Sequence, residues 1–258
     1  MVRIGAFALL LSATFASLVA AASERPNVIV MVADDLGWAD VGFHGNPIIE
    51  TPALDRIAAE GVQLNRFYTT PICSPTRAAL MTGRDPIRLG VAYSTIMPWQ
   101  NNGIHPQETF LPELFLGAGY QTAMVGKWHL GYLPQFHPLN RGFDEYFGVL
   151  AGGSIFIDQS RPDVESIGNW PLVRDRSKGV YDGRTLVEVE EYLTDVFTDR
   201  AVDFIKQKHT APFFLYLSHT TPHTPLQATK KYTSRYQHIS DPAARILSLI
   251  HISEPTRP

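Results

Sequence analysis

The sequence predicts an α/β protein, a mostly parallel sheet sandwiched by helices. Three observations lead there. Residues 27–33 and 213–217 are unbroken apolar, β-branched or aromatic runs, the pattern of strands buried on both faces. Helical periodicity lies between them, at 53–60 and again at 186–207. Strands alternating with helices along one chain of 258 residues imply crossover units on a parallel sheet.

Taken in chain order, Arg3 is followed by an uncharged run from Ile4 to Ala22 that closes on Ala20-Ala21-Ala22. Residues 1–22 read as a secretory signal peptide cut before Ser23. Ser12, Thr14, Ser17 and the small-residue end argue for cleavage and against a stable membrane anchor. The expected location is outside the cytoplasm: periplasmic or secreted, or lysosomal if the source is an animal. Residues 27–33 are the first strand. Thr51-Pro52 supplies an N-cap and first-turn signal for a helix over 53–60, which Gly61 stops. A second strand is expected over 62–68. Helices are expected over 75–81 and 111–117, with a strand over 121–125. Residues 131–185, rich in Gly, Pro and aromatics, are expected to form loops over one sheet edge. The longest helix is expected over 186–207, with Ala201, Val202, Phe204 and Ile205 on its apolar side. A strand over 213–217 follows. Residues 249–258 carry no closing element and read as a doubtful tail, either a loop cut short or a sequence foreign to the natural protein.

Composition narrows the function. Hydrophobic residues are 45% and charged residues 18% of the chain, which excludes disordered, collagen-like and polytopic membrane classes. Twenty-two basic against 25 acidic side chains leave no basic surplus to neutralise phosphates, so no nucleic-acid partner is expected. The single cysteine excludes an intramolecular disulfide framework.

Four clusters fall beside four expected elements. Asp34-Asp35 follows the first strand, where ligands of open parallel sheets bind. Adjacent carboxylates repel, and a hard divalent cation, Ca²⁺ or Mg²⁺, relieves that; a solvated loop is the alternative. Cys73 precedes Pro75 at a helix start, where amide groups and the helix dipole favour an anion, and Arg77 lies one turn on. Lys127 and His129 follow the strand over 121–125 and share a face if the chain stays extended, a fixed cation beside a titratable imidazole. His219 and His223 follow the strand over 213–217.

Together these residues resemble the sulfatase family of the alkaline-phosphatase superfamily. Cys73-Ser74-Pro75-Thr76-Arg77, continued by Leu80, Thr82, Gly83 and Arg84, matches the family's C-x-P-x-R signature. Gly119-Tyr120 through Gly126-Lys127-Trp128-His129 matches its second signature, and 25–37 looks like its first strand and metal loop. The likeness spans about residues 25–232, and the text at 40–45 and 141–144 looks most like the arylsulfatase B branch and its bacterial relatives.

The resemblance implies a sulfuric ester hydrolase in which Cys73 is oxidised to Cα-formylglycine by a formylglycine-generating enzyme. The hydrated aldehyde would attack sulfur with one hydroxyl and expel sulfate through the other. It implies that Asp34, Asp35 and the residue-73 oxygen hold Ca²⁺ or Mg²⁺. Arg77 would stabilise the ionised diol, Lys127 would bind sulfate, and His129 would take the second proton. His223 would contact sulfate and assist the leaving alcohol, while His219, which does not match the family position, would be structural or support the site from behind. The substrate would be a sulfated small molecule or sulfated glycan, with Trp99, His44 and the 131–185 loops contributing pocket walls. A superfamily relative acting on phosphate diesters or phosphonate monoesters is the alternative. The family's later Asp-Asn metal pair and later sulfate-binding Lys are not found here, and Asn169-Trp170 lacks a carboxylate partner. Residues 23–248 therefore read as the N-terminal part of a catalytic domain, expected to be inactive or nearly so alone.

Overall fold

The structure, a computed structural model, describes residues 25–168 and 178–247. The expected signal peptide, Asn169-Trp170 and the tail over 249–258 lie outside the described residues.

The strands are β1 (Val28–Asp34), β2 (Gln121–Lys127), β3 (Glu145–Val149), β4 (Val164–Ile167), β5 (Val180–Asp182), β6 (Thr185–Val187), β7 (Phe213–Pro222) and β8 (Leu226–Thr229). Six of them form one sheet in the order β1-β7-β2-β3-β5-β6, while β4 and β8 pair separately. β1, β7, β2 and β3 run parallel, and β5 and β6 extend the sheet antiparallel. The helices that matter for the site are α1 (Pro52–Glu60), α2 (Cys73–Thr82), α3 (Leu111–Gly117) and α4 (Leu193–Lys206).

Period-2 alternation divides the central strands between two cores. Ala123, Val125, Phe213, Leu215 and Leu217 face α4, which answers with Phe197, Ala201 and Phe204. Met124, Phe214 and Tyr216 face the other way, onto Ala78 and Met81 of α2. Phe115 of α3 stacks on Phe214 with ring centroids 4.3 Å apart. Burial on both faces explains the unbroken apolar run of β7, but not that of β1, which lies at the end of the sheet and is only partly buried, with Ile29 45% exposed. Gly126 is required where β2 meets β7: its φ is +111°, and a Cβ there would lie 1.9 Å from the Ser218 carbonyl oxygen.

Three expectations are corrected. Residues 62–68 form no strand; Val62, Leu64, Phe67 and Tyr68 are exposed, and no neighbouring edge pairs with them among the described residues. The pattern there is compatible with a strand, but the ladder that makes one is missing. The long helix begins at Leu193 instead of 186, because Gly183 at φ +57° turns β5 into β6, which takes up Leu186. Within 131–185, β3 and β5 belong to the main sheet, so the segment widens the sheet as well as covering it.

Thr51 braces the loop after β1. Its hydroxyl donates to Asp55 Oδ1 (2.7 Å) and accepts from the Gly42 N–H (2.8 Å), tying that loop to α1. No helix among the described residues is long and apolar enough to cross a membrane.

Candidate active site

Because β1, β7 and β2 are parallel neighbours, their C-terminal ends open on one side of the sheet, where open α/β sheets bind ligands. Ser218 of β7 sits in register with both Val32 of β1 and Gly126 of β2. Asp34 at the end of β1 and Lys127 at the end of β2 therefore flank one strand. The N-terminus of α2 approaches the same place, and Cys73 is its first residue. The helix starts two residues earlier than its sequence pattern suggests, and Ile72 at the N-cap offers no side-chain cap. Amide groups of its first turn are thus left for other acceptors.

Asp34, Arg77 and Lys127 form a buried charge cluster. Arg77 Nη2 donates to Asp34 Oδ1 (2.9 Å), and Lys127 Nζ donates to Asp34 Oδ2 (2.5 Å). Arg77 Nη1 donates to the Lys127 carbonyl (3.0 Å), to the Tyr216 hydroxyl (3.3 Å) and to Ser218 Oγ. Burial alone would raise the Asp34 pKa, but the Arg77 and Lys127 cations overcome it and hold the carboxyl below its ordinary range. Burial pushes Lys127 down, and the neighbouring Arg77 charge pushes it the same way. Two cations against one carboxylate leave an excess of positive charge, which suits a bound anion.

Cys73 is half-buried, and burial raises its thiol above the ordinary range, so it stays protonated at neutral pH. His129 is buried, and both ring nitrogens lack a partner among the described residues. Burial, then the Lys127 and Arg77 charges, drive its pKa well down and keep the imidazole neutral. The chain does not stay extended after Lys127: His129 has φ +61°, so the expected shared face is replaced by a left-handed turn. His223 Nε2 lies 3.7 Å from Asp35 Oδ2, and its Nδ1 is 2.6 Å from the Thr224 carbonyl oxygen. His219 is fully buried with neither ring nitrogen partnered among the described residues, and burial lowers its pKa to about 4. Trp99 is exposed, and His44 stacks on Trp38 at 3.5 Å.

One group of donors fits a divalent cation. Ligand atoms of Asp34, Cys73 and His223 lie within 4.8 Å of one another, and the Asp35 carboxylate sits beside His223. Both Asp34 oxygens already accept from cations, but an ionised carboxylate has lone pairs to spare. With oxygen in place of sulfur at residue 73, the set becomes mostly hard oxygen donors.

The structure thus gathers Asp34, Cys73, Arg77 and Lys127, with Asp35 and His223 at the rim. Sequence reasoning missed Tyr216 and Ser218, which hold the Arg77 guanidinium. Their role depends on β7 inserting between β1 and β2, which no local pattern announces.

The sulfatase family model matches residues 26–248. N-acetylgalactosamine-6-sulfatase of Canis lupus familiaris is 41% identical over 264 residues, covering 92% of this chain and 49% of that protein. The Homo sapiens protein of that name is 39% identical over 261 residues, covering 91% and 49%. The chain spans about half the length of the curated relatives it matches. Among solved structures, Ps i-CgsB in complex with k-i-k-neocarrahexaose superposes with a TM-score of 0.77 at 32% identity, covering 90% of this chain and 53% of that one. BT4656 with its substrate D-glucosamine-2-N,6-O-disulfate gives 0.65 at 26% identity, covering 83% and 38%.

Proposed function

Because this chain belongs to the sulfatase family, we propose that its protein hydrolyses sulfate esters of glycans at Cys73, after that residue is converted to formylglycine. The observation that carries the reading is the junction of Cys73, at the first turn of α2, with the buried Asp34–Arg77–Lys127 cluster. The substrate class follows the relatives, which are named for sulfated galactosamine or hold a carrageenan fragment or a disulfated glucosamine. The partner that performs the conversion is a formylglycine-generating enzyme, and the protein is exported.

A hydrated aldehyde at residue 73 supplies one hydroxyl to attack sulfur and a second through which sulfate is expelled. Asp34, Asp35 and the residue-73 oxygen, with His223 beside them, would hold a divalent cation, which when bound would lower the hydroxyl's pKa and draw charge from the sulfate oxygens. Arg77 stabilises the ionised diol, and Lys127 binds the sulfate oxygens and holds them in line for attack. As the S–O bond to the alcohol breaks, His223 donates the proton that the leaving oxygen takes up. His129, kept neutral, accepts the proton of the remaining hydroxyl; the C–O bond then breaks, sulfate leaves and the aldehyde returns.

The test is a parallel assay of the full protein that carries this chain, using an aryl sulfate, a phosphate diester and a phosphonate monoester. We expect the sulfate ester to be preferred by about 100-fold or more in kcat/KM. A chelator should abolish turnover, and Ca²⁺ or Mg²⁺ should restore it. Faster cleavage of the phosphorus esters would overturn the reading.

A further inference from the structure

His129 is placed by its backbone and its packing alone. Neither ring nitrogen bonds to any described residue, although the side chain is buried. Its N–H donates to the Leu150 carbonyl (3.1 Å), and its φ is +61°. Its carbonyl accepts from the Ser74 hydroxyl (2.9 Å), and Ser74 Oγ in turn accepts from the Ile96 N–H (3.1 Å). Ser74 is fully buried, so this three-way joint is shielded from water that would otherwise compete for its bonds. It couples the first turn of α2 to the turn after β2, the two segments that carry Cys73 and His129. The ring itself lies on Gly152. A Cβ built there would come within 2.3 Å of His129 Cε1 and 2.4 Å of Nε2. Gly152 does not have a positive φ, so only this close approach asks for glycine.

We infer that Ser74 and Gly152 are positioning residues for His129: Ser74 fixes its main chain relative to residue 73, and Gly152 fixes the plane its imidazole occupies. The inference rests on the reading of His129 as the group that accepts the proton when sulfate is expelled. Neither residue takes part in the reaction itself; each acts only through His129. A ring with no hydrogen bond of its own follows any shift of its backbone or of its packing partner, and a misplacement of about 1 Å in such a site costs roughly 100-fold in rate.

The experiment compares Ser74→Ala and Gly152→Ala in the full protein, alone and in a His129→Ala background. Aryl sulfate is the probe, and each kcat is divided by the formylglycine fraction measured at residue 73. Each single variant should lose about 10- to 100-fold in kcat with KM changed less than about twofold. In the His129→Ala background both should be silent, because what they position is gone. Gly152 lies outside the 73–77 segment, so Gly152→Ala decides the matter if Ser74→Ala is not converted. Single variants with wild-type kcat, or losses that persist undiminished without the imidazole, would overturn the inference. A wild-type protein that turns over no sulfate ester would instead sink the proposed function itself.

Discussion

Cys73→Ala should reduce sulfate-ester turnover by about 10⁴-fold or more, since it removes the nucleophile outright. The fold should hardly notice. Cys73 is the first residue of α2, only half-buried, and alanine is the better helix former. A kinetic assay run beside a thermal melt separates the two effects. Cys73→Ser is the more telling variant. A serine hydroxyl can attack sulfur, but no second hydroxyl on the same carbon then helps to expel sulfate. The expected trace is one burst of released alcohol, up to the enzyme concentration, followed by a stall. Steady turnover by either variant within about tenfold of wild type would contradict the assigned nucleophile.

Asp34→Asn should be the most damaging conservative substitution for stability. The side chain keeps its shape but loses the charge that Arg77 and Lys127 share, and those two cations are nearly inaccessible to water. Removing one member of a buried ionic cluster leaves an uncompensated charge and costs about 3–5 kcal/mol. For a chain of this size that corresponds to a midpoint lower by roughly 6–20 °C. Adding Lys127→Met to Asp34→Asn should recover part of the loss, because an apolar chain replaces the stranded cation. A midpoint unchanged by Asp34→Asn would mean that the cluster does not hold the ends of β1 and β2 together.

What the sequence revealed, and what it hid, follows from how local each signal is. β1 and α3 were legible because a β-branched run and a short capped apolar stretch carry their own instructions. Residues 62–68 misled because a strand needs an edge to pair with, and pairing is not written locally. β3 was missed for the converse reason: Glu145–Val149 is brief, contains Gly148 and lies among loops, yet β2 recruits it in parallel register. The helix expected from 186 lost its first turns to the β5–β6 hairpin. At the site, Asp34, Cys73, Arg77, Lys127 and His129 stood out because they cluster beside expected strand and helix ends and match the positions of the sulfatase signatures. Tyr216, Ser218, Ser74 and Gly152 did not. A buried hydroxyl or glycine looks ordinary until the tertiary fold brings it against an arginine, a main-chain carbonyl or an imidazole.

The decisive measurement is the mass of the residue-73 peptide from protein that is actively cleaving sulfate esters. Conversion of the thiol to the aldehyde lowers the mass by about 18 Da, the opposite direction from the oxygen-adding steps of thiol oxidation. The account predicts that the lighter peptide is present and that turnover rises in proportion to its fraction. Full turnover by protein whose Cys73 is entirely an unmodified thiol would contradict it.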